Sequence, residues 1–158
     1  MIEVRRARPD EAPVLMELIL GLAEYEKLEP PDAAAQERLK RDIFGERPRL
    51  EAWLAYADGQ AVGYALILET YSSFLALPTL YLEDIFVKPE YRGRGAGAAL
   101  FRRMVEEAER RGCGRMEWVV LDWNRPALEF YERFGAVRLN EWIPMRLTRA
   151  DFSRILKE

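Results

Sequence analysis

Side chains able to do chemistry gather in two stretches of this chain. Between Leu80 and Leu100, in LYLEDIFVKPEYRGRGAGAAL, the adjacent carboxylates Glu83 and Asp84 precede Pro89 and the loop Arg92-Gly93-Arg94-Gly95-Ala96-Gly97. Farther on, the run from Trp123 to Ala136, WNRPALEFYERFGA, carries the amide of Asn124 and the phenol of Tyr131. The chain contains no histidine. Ser-His-Asp and Cys-His hydrolysis and histidine-based metal sites are thereby excluded, and a general acid or base must be Glu, Asp, Tyr, Lys, Cys or water. No metal is implied.

The first stretch reads as strand, glycine loop, helix, an arrangement suited to holding a phosphate. Glycine lets the backbone approach an anion closely, and the unpaired N–H groups of a helix's first turn point at it with the macrodipole behind them. Arg92 and Arg94 add positive charge where a diphosphate would sit. A nucleoside triphosphate loop ends in Gly-Lys-Ser/Thr, which is missing here. The dinucleotide fingerprint is matched in letters by Gly93-x-Gly95-x-x-Ala98, but residues 88–92 separate the loop from its strand, and no acidic strand end follows about 20 residues on. Arg92-x-x-Gly95-x-Gly97 fits a third form, Arg/Gln-x-x-Gly-x-Gly/Ala. A plain tight turn before a surface helix would use the same glycines.

Those residues need a scaffold. The 158 residues are expected to form one domain, residues 1–158, with a composition ordinary for a folded soluble protein: 49% apolar and 32% charged. A net charge of −3 argues against nucleic acid as partner. No apolar run approaches the roughly 18 to 20 residues of a membrane span. The lone Cys113 and an N-terminus that reads as a strand suggest a reduced, cytoplasmic setting. Periodicity predicts a strand over 2–7, then a helix capped by Asp10 and running to Tyr25-Glu26. A more polar helix capped by Asp32 covers 33–44. Strands at 50–57 and 61–68 are joined by Asp58-Gly59. An aromatic loop over 70–78 leads to the central strand 79–87. The helix opening at Ala96 buries Leu100, Phe101, Met104, Val105 and Ala108. Glu106/Arg110 and Glu107/Arg111 read as i,i+4 pairs on its wet side, and Gly112 is its stop. A strand over 116–121 precedes a helix capped by Asn124 and ended by Gly135. Strands over 137–139 and 142–147 and a tail helix from Arg149 follow. Trp53, Trp118 and Trp142 read as core. The order implies an α/β fold, a mixed sheet with helices on both faces.

Taken alone, Tyr131 on an apolar helical stripe reads as core. Its context changes the weighting. Asn-x-Pro-Ala-x-x-Phe-Tyr-x-x-x-Gly-Ala, about 30 residues after the Arg-x-x-Gly-x-Gly loop, resembles the second signature of the GNAT N-acetyltransferases, and the loop resembles their pyrophosphate loop. Leu22-Ala23-Glu24-Tyr25-Glu26, Tyr81-Leu82-Glu83-Asp84 with Phe86-Val87, Tyr91-Arg92-Gly93, and Trp123-Asn124 with Phe130-Tyr131 look like the diamine (spermidine/spermine) and thialysine N-acetyltransferases. The likeness weakens over 28–48, 71–77 and beyond Leu139, the parts that would shape an acceptor pocket.

The resemblance implies a GNAT fold, mostly antiparallel, whose central strand and following parallel strand splay apart to take acetyl-coenzyme A. It implies that backbone at Ile85, Phe86 and Val87 runs along the pantetheine arm, that the loop Arg92, Gly93, Arg94, Gly95, Ala96, Gly97 holds the diphosphate, that Asn124 contacts the arm, and that Tyr131 protonates the departing sulfur. Glu83 and Asp84 would face opposite sides of a regular strand. One of them would bind a cationic amine or relay its proton, with Tyr25 and Glu26 as pocket residues. Each has a plain structural reading as well: an ion pair for the two acids, a helix end for Tyr25 and Glu26. The relatives implied are homodimers acting on small amines, with no membrane or nucleic-acid partner. A peptide amine as acceptor, or a sensor that binds acetyl-coenzyme A without catalysis, is the alternative. Cys113 reads as an inert thiol.

Overall fold

A computed structural model describes all residues, 1–158. It divides into two compact units, Met1–Val119 and Val120–Glu158. No helix is long and apolar enough to cross a membrane.

The first unit holds a five-stranded sheet in the order β1-β2-β3-β4-β5, with β1 Ile2–Arg6, β2 Glu51–Ala57, β3 Gln60–Ser72, β4 Leu77–Val87 and β5 Arg115–Glu117. The first three pairings are antiparallel and β4–β5 is parallel, as a helical crossover between adjacent strands requires. Asp58 and Gly59 both take positive φ, 51° and 79°, the hairpin geometry their types favour. Helices α1 (Ala12–Glu26) and α2 (Ala33–Phe44) cover one face. There Leu15, Leu18, Ile19 and Ile43 pack on Leu54, Tyr64, Leu66 and Phe86. Helix α3 (Ala96–Arg110) crosses the other face: the next residue to Tyr64, Gly63, abuts Leu100, and successive strand residues face opposite sides.

Several boundaries differ from expectation. Asp10 does not cap α1: it lies in a 3-10 turn, Pro9–Glu11, and pairs with Arg8. The local anchor is Glu11, which accepts from Arg5 at 2.6 Å, from the Arg8 backbone N–H and from the Tyr56 phenol; Arg5 holds its carboxyl down to about 2 against the cost of burial. The predicted loop over 70–78 is largely a hairpin, with Tyr71 opposite Pro78 and Ser72 opposite Leu77. β-Propensity at Thr70 and Tyr71 carries the ladder outward, and only residues 73–76 turn. β5 spans three residues rather than 116–121 because only Thr79, Leu80 and Tyr81 of β4 pair with it.

The wet-side reading of Glu107 and Arg111 is overturned. Glu107 is 1% exposed and meets Arg103 at 2.8 Å, Arg110 at 2.5 Å and Arg111 at 3.1 Å, while Arg111 continues to Glu51 at 2.6 Å. Glu106 pairs with Arg103, not Arg110. Counting from Leu100 and Met104 at helical spacing places Glu107 on the buried stripe, over the sheet. The Arg110 bond first, against burial, then Arg111 and Arg103 hold its carboxyl below the usual range. Val105, placed in the buried set, is 45% exposed.

The second unit contains α4 (Arg125–Arg133) and α5 (Arg149–Ile155). Residues 137–139 and 142–147 form no strand. A strand needs a neighbour for its N–H and C=O groups, and this unit contains none. Trp142 is accordingly exposed rather than core, as are Val137, Ile143 and Met145. Trp53 is buried, and Trp118 meets Phe101 edge-on, centroids 5.4 Å apart.

Candidate active site

The parallel pairing ends at Tyr81, so residues 82–87 of β4 have no strand partner on the β5 side, and alternate N–H and C=O groups of that edge are unspent by the sheet. Ile85, Phe86 and Val87 lie on this free edge. It leads through Pro89–Tyr91 into the glycine loop. Gly95 is the N-cap of α3 at φ 89°, a conformation glycine adopts without penalty. It offers no side-chain cap, so the N–H groups of Ala96, Gly97 and Ala98 remain available to an anion. Such a cradle fits a diphosphate.

Arg92 does more than add charge to this loop. Its guanidinium carbon sits 4.4 Å from the Tyr25 ring centroid and 5.5 Å from that of Phe86, and its Nε donates to the Val87 carbonyl at 3.0 Å. Arg94 lies over Tyr91, whose hydroxyl bonds Gln60 at 2.8 Å. Helix α1 is drawn close at the same place: a Cβ on Gly21 would meet the Phe86 ring at 3.0 Å. Lys88 pairs with Glu17 at 3.1 Å. The C-terminal end of α1, with Tyr25 and Glu26, is therefore held against the end of β4.

The strand is not regular where its acids lie. Leu66 opposes Asp84 and Ile67 opposes Leu82, with a register shift between them, so Glu83 is the extra residue of a β-bulge. Leu66 and Ile67 face opposite sides, and so must Asp84 and Leu82. Asp84 thus shares the α1 face with Phe86, Leu82 beyond the bulge turns to the other face, and Glu83 is exposed. Asp84 Oδ2 accepts from the Tyr64 phenol at 3.0 Å. Burial pushes its carboxyl up to about 6; the Tyr64 bond opposes this, and Glu83 and Glu26 reinforce it. Burial also raises Glu26. Burial first, then the charge of Asp84, drives the Tyr64 phenol far up, so that it donates a proton throughout the accessible range. None of the three carboxylates has a cationic partner within 4 Å. The plain ion-pair reading of Glu83 and Asp84 has no support.

The structure thus joins Tyr25, Glu26, Glu83, Asp84, Ile85, Phe86, Val87 and Arg92 to Gly97 at one end of the sheet. Asn124 and Tyr131 belong to the second unit. Asn124 is the N-cap of α4, accepting from the Ala127 N–H at 3.3 Å. Tyr131 is 8% exposed and edge-on to Phe130 at 5.3 Å. Tyr64 was not legible as a site residue, since an aromatic in an apolar strand announces only burial. Burial, with Glu69, raises the Cys113 thiol, the opposite of an activated nucleophile.

A β4–β5 pairing that stops at Tyr81 and a glycine loop opening α3 are compatible with binding of a phosphorylated acyl carrier, and the Acetyltransferase (GNAT) family profile matches residues 16–136. The chain belongs to the GNAT family of acetyl-coenzyme A-dependent N-acetyltransferases. It is 38% identical over 148 residues to the thialysine N-epsilon-acetyltransferase of Bos taurus, covering 89% of this chain and 86% of that protein. It is 40% identical over 111 residues to an L-ornithine N5-acetyltransferase of Arabidopsis thaliana, covering 69% of this chain and 49% of that one. The fold matches an integron cassette protein from the V. cholerae mobile metagenome, with a TM-score of 0.82 at 22% identity over 99% of this chain and 98% of that one.

Proposed function

We propose that the protein moves an acetyl group from acetyl-coenzyme A to a primary amine of a small cationic acceptor: a polyamine, a lysine analogue or an amino acid. The observation that carries this is the acidic group at the ends of α1 and β4, where Glu26, Glu83 and Asp84 have no ion pair and Asp84 accepts only from Tyr64, on the strand that leads into the glycine loop. The names of the thialysine and ornithine relatives agree with it. We read the chain as a single domain, since the family profile spans residues of both units.

An alkyl ammonium with a pKa near 10 is drawn to carboxylates but cannot attack until it loses a proton. In this reading Asp84, with Tyr25 and Glu26, binds the cation, and Glu83, on the solvent side of the bulge, accepts the departing proton through water. The amine nitrogen then attacks the thioester carbonyl. An N–H of Ile85 or Val87 on the free edge bonds the developing oxyanion. As the carbon–sulfur bond breaks, Tyr131 gives its proton to the sulfur, the nitrogen sheds its second proton to water to leave the amide, and Tyr131 recovers a proton from solvent. The loop from Arg92 to Gly97 holds the diphosphate and Asn124 contacts the pantetheine arm.

We also infer a homodimer in the cytoplasm. The exposed apolar residues Val137, Trp142, Ile143, Met145 and Leu147 offer apolar surface for a second copy to cover, and a lone Cys113 suits a reducing compartment.

The test is a panel of amines with acetyl-coenzyme A, read by thiol release, for wild type and Glu83→Gln. Turnover of small amines, slowed in Glu83→Gln, supports the reading. Turnover of peptide amines alone replaces the acceptor class, and tight cofactor binding without turnover makes the protein a sensor. Equal rates in Glu83→Gln across pH remove Glu83 from the proton path.

A further inference from the structure

Beside the bulge at Glu83, a buried phenol from β3 bonds the neighbouring Asp84. Tyr64 sits in the middle of β3 opposite Phe86, fully buried among Leu15, Leu18 and Phe86. Phenylalanine would fill this place at no polar cost, whereas a buried hydroxyl is unfavourable unless it is bonded. Its sole hydrogen-bond partner is Asp84 Oδ2, which shares the α1 face with Phe86 two residues on, in register with Leu66. Arg92 of the loop is engaged with Tyr25, Phe86 and the Val87 carbonyl. Asp84 thus has one oxygen fixed from inside the core and the other without a hydrogen bond, facing a neighbourhood charged only by Glu26 and Glu83.

We propose that Tyr64 is a positioning residue for acceptor recognition: its phenol holds Asp84 in one rotamer, with Oδ2 engaged and Oδ1 left for the acceptor's ammonium, while Glu83 stays outside this arrangement. This rests on the reading of a small cationic acceptor. Because the phenol bonds the charged form of Asp84, its loss weakens amine binding and moves the pH at which binding is lost upward. The groups facing Asp84 are Tyr64 from β3, Glu83 from β4 and Glu26 from α1.

Tyr64→Phe keeps the ring and removes the hydroxyl. Calorimetric binding of L-ornithine and of 1,5-diaminopentane to protein saturated with coenzyme A is expected to weaken about tenfold or more, as for a lost bond to a charged group. Affinity for coenzyme A stays the same, and the carboxyl titration of Asp84, followed by carbon-13 NMR, moves up by about one pH unit. In an Asp84→Asn background the same Tyr64→Phe change costs amine binding nothing further, which a packing defect would not mimic. Unchanged amine affinity and an unchanged Asp84 titration in folded Tyr64→Phe overturn the inference and leave the transferase reading standing. Wild type that binds the amines but releases no thiol from acetyl-coenzyme A overturns the transferase reading alone, and wild type that binds neither amine overturns both.

Discussion

Replacing Asp84 with Asn keeps the side-chain shape and an oxygen to accept the Tyr64 phenol but removes the charge. The carboxyl titrates at about 6 instead of 3.8 because burial, Glu83 and Glu26 outweigh the Tyr64 bond. A folded-state value above the unfolded one means that the group's contribution to stability is fully present below 3.8 and is lost as pH rises through 6. At about 1.4 kcal/mol per pH unit, ionised Asp84 costs the fold about 3 kcal/mol at pH 8. Asn pays none of this. Asp84→Asn should therefore be the more stable protein by about 3 kcal/mol at pH 8, equivalent to about 6 to 12 °C in midpoint for a chain of this size, with the advantage shrinking to about 1 kcal/mol at pH 4.5. Urea denaturation of both proteins at the two pH values measures it. A variant less stable than wild type at pH 8, or an advantage that ignores pH, refutes the burial argument. The same variant should bind cationic amines poorly, the charge being retained for function at the expense of stability.

Glu107→Gln leaves Arg103, Arg110 and Arg111 facing a neutral group on the far side of the sheet and should destabilise by about 3 kcal/mol, read by denaturation with coenzyme A affinity unchanged in the folded protein; a loss under 0.5 kcal/mol returns these charges to a solvated face. Gly97→Glu places bulk and negative charge in the first turn of α3, so calorimetry should show coenzyme A binding abolished in a folded protein, and retained binding would move the diphosphate elsewhere. Tyr131→Phe should lower the rate of the chemical step by about a hundredfold or more in single-turnover measurements, and full activity there makes Tyr131 a core residue only. Light scattering at micromolar concentration should return a dimer mass, and a monomer would leave residues 137–147 without the proposed cover.

What could be read from the sequence was local. Asp32 caps α2 through the Ala35 N–H at 2.8 Å, Gly112 ends α3 with φ 70°, and Gly95 opens it, each because one residue type meets one backbone demand. The acids at 83 and 84 were visible, but not which way they turn, since a bulge depends on register with β3. Tyr64 and Glu107 escaped for the same reason: one owes its role to a partner 20 residues on, the other to the strands beneath its helix. The strands expected over 137–139 and 142–147 carry the right residue types but find no partner strand within their own unit, which no local pattern supplies.

The central claim is that the acidic end of β4 selects a small cationic amine for acetylation. It is tested most directly by offering wild type, with isotopically labelled acetyl-coenzyme A, an equimolar mixture of L-ornithine, spermidine and a lysine-containing peptide, and identifying products by mass spectrometry. The label is predicted on ornithine or spermidine, in amounts that fall together with amine binding in Asp84→Asn. Label on the peptide alone, or on nothing, contradicts the account.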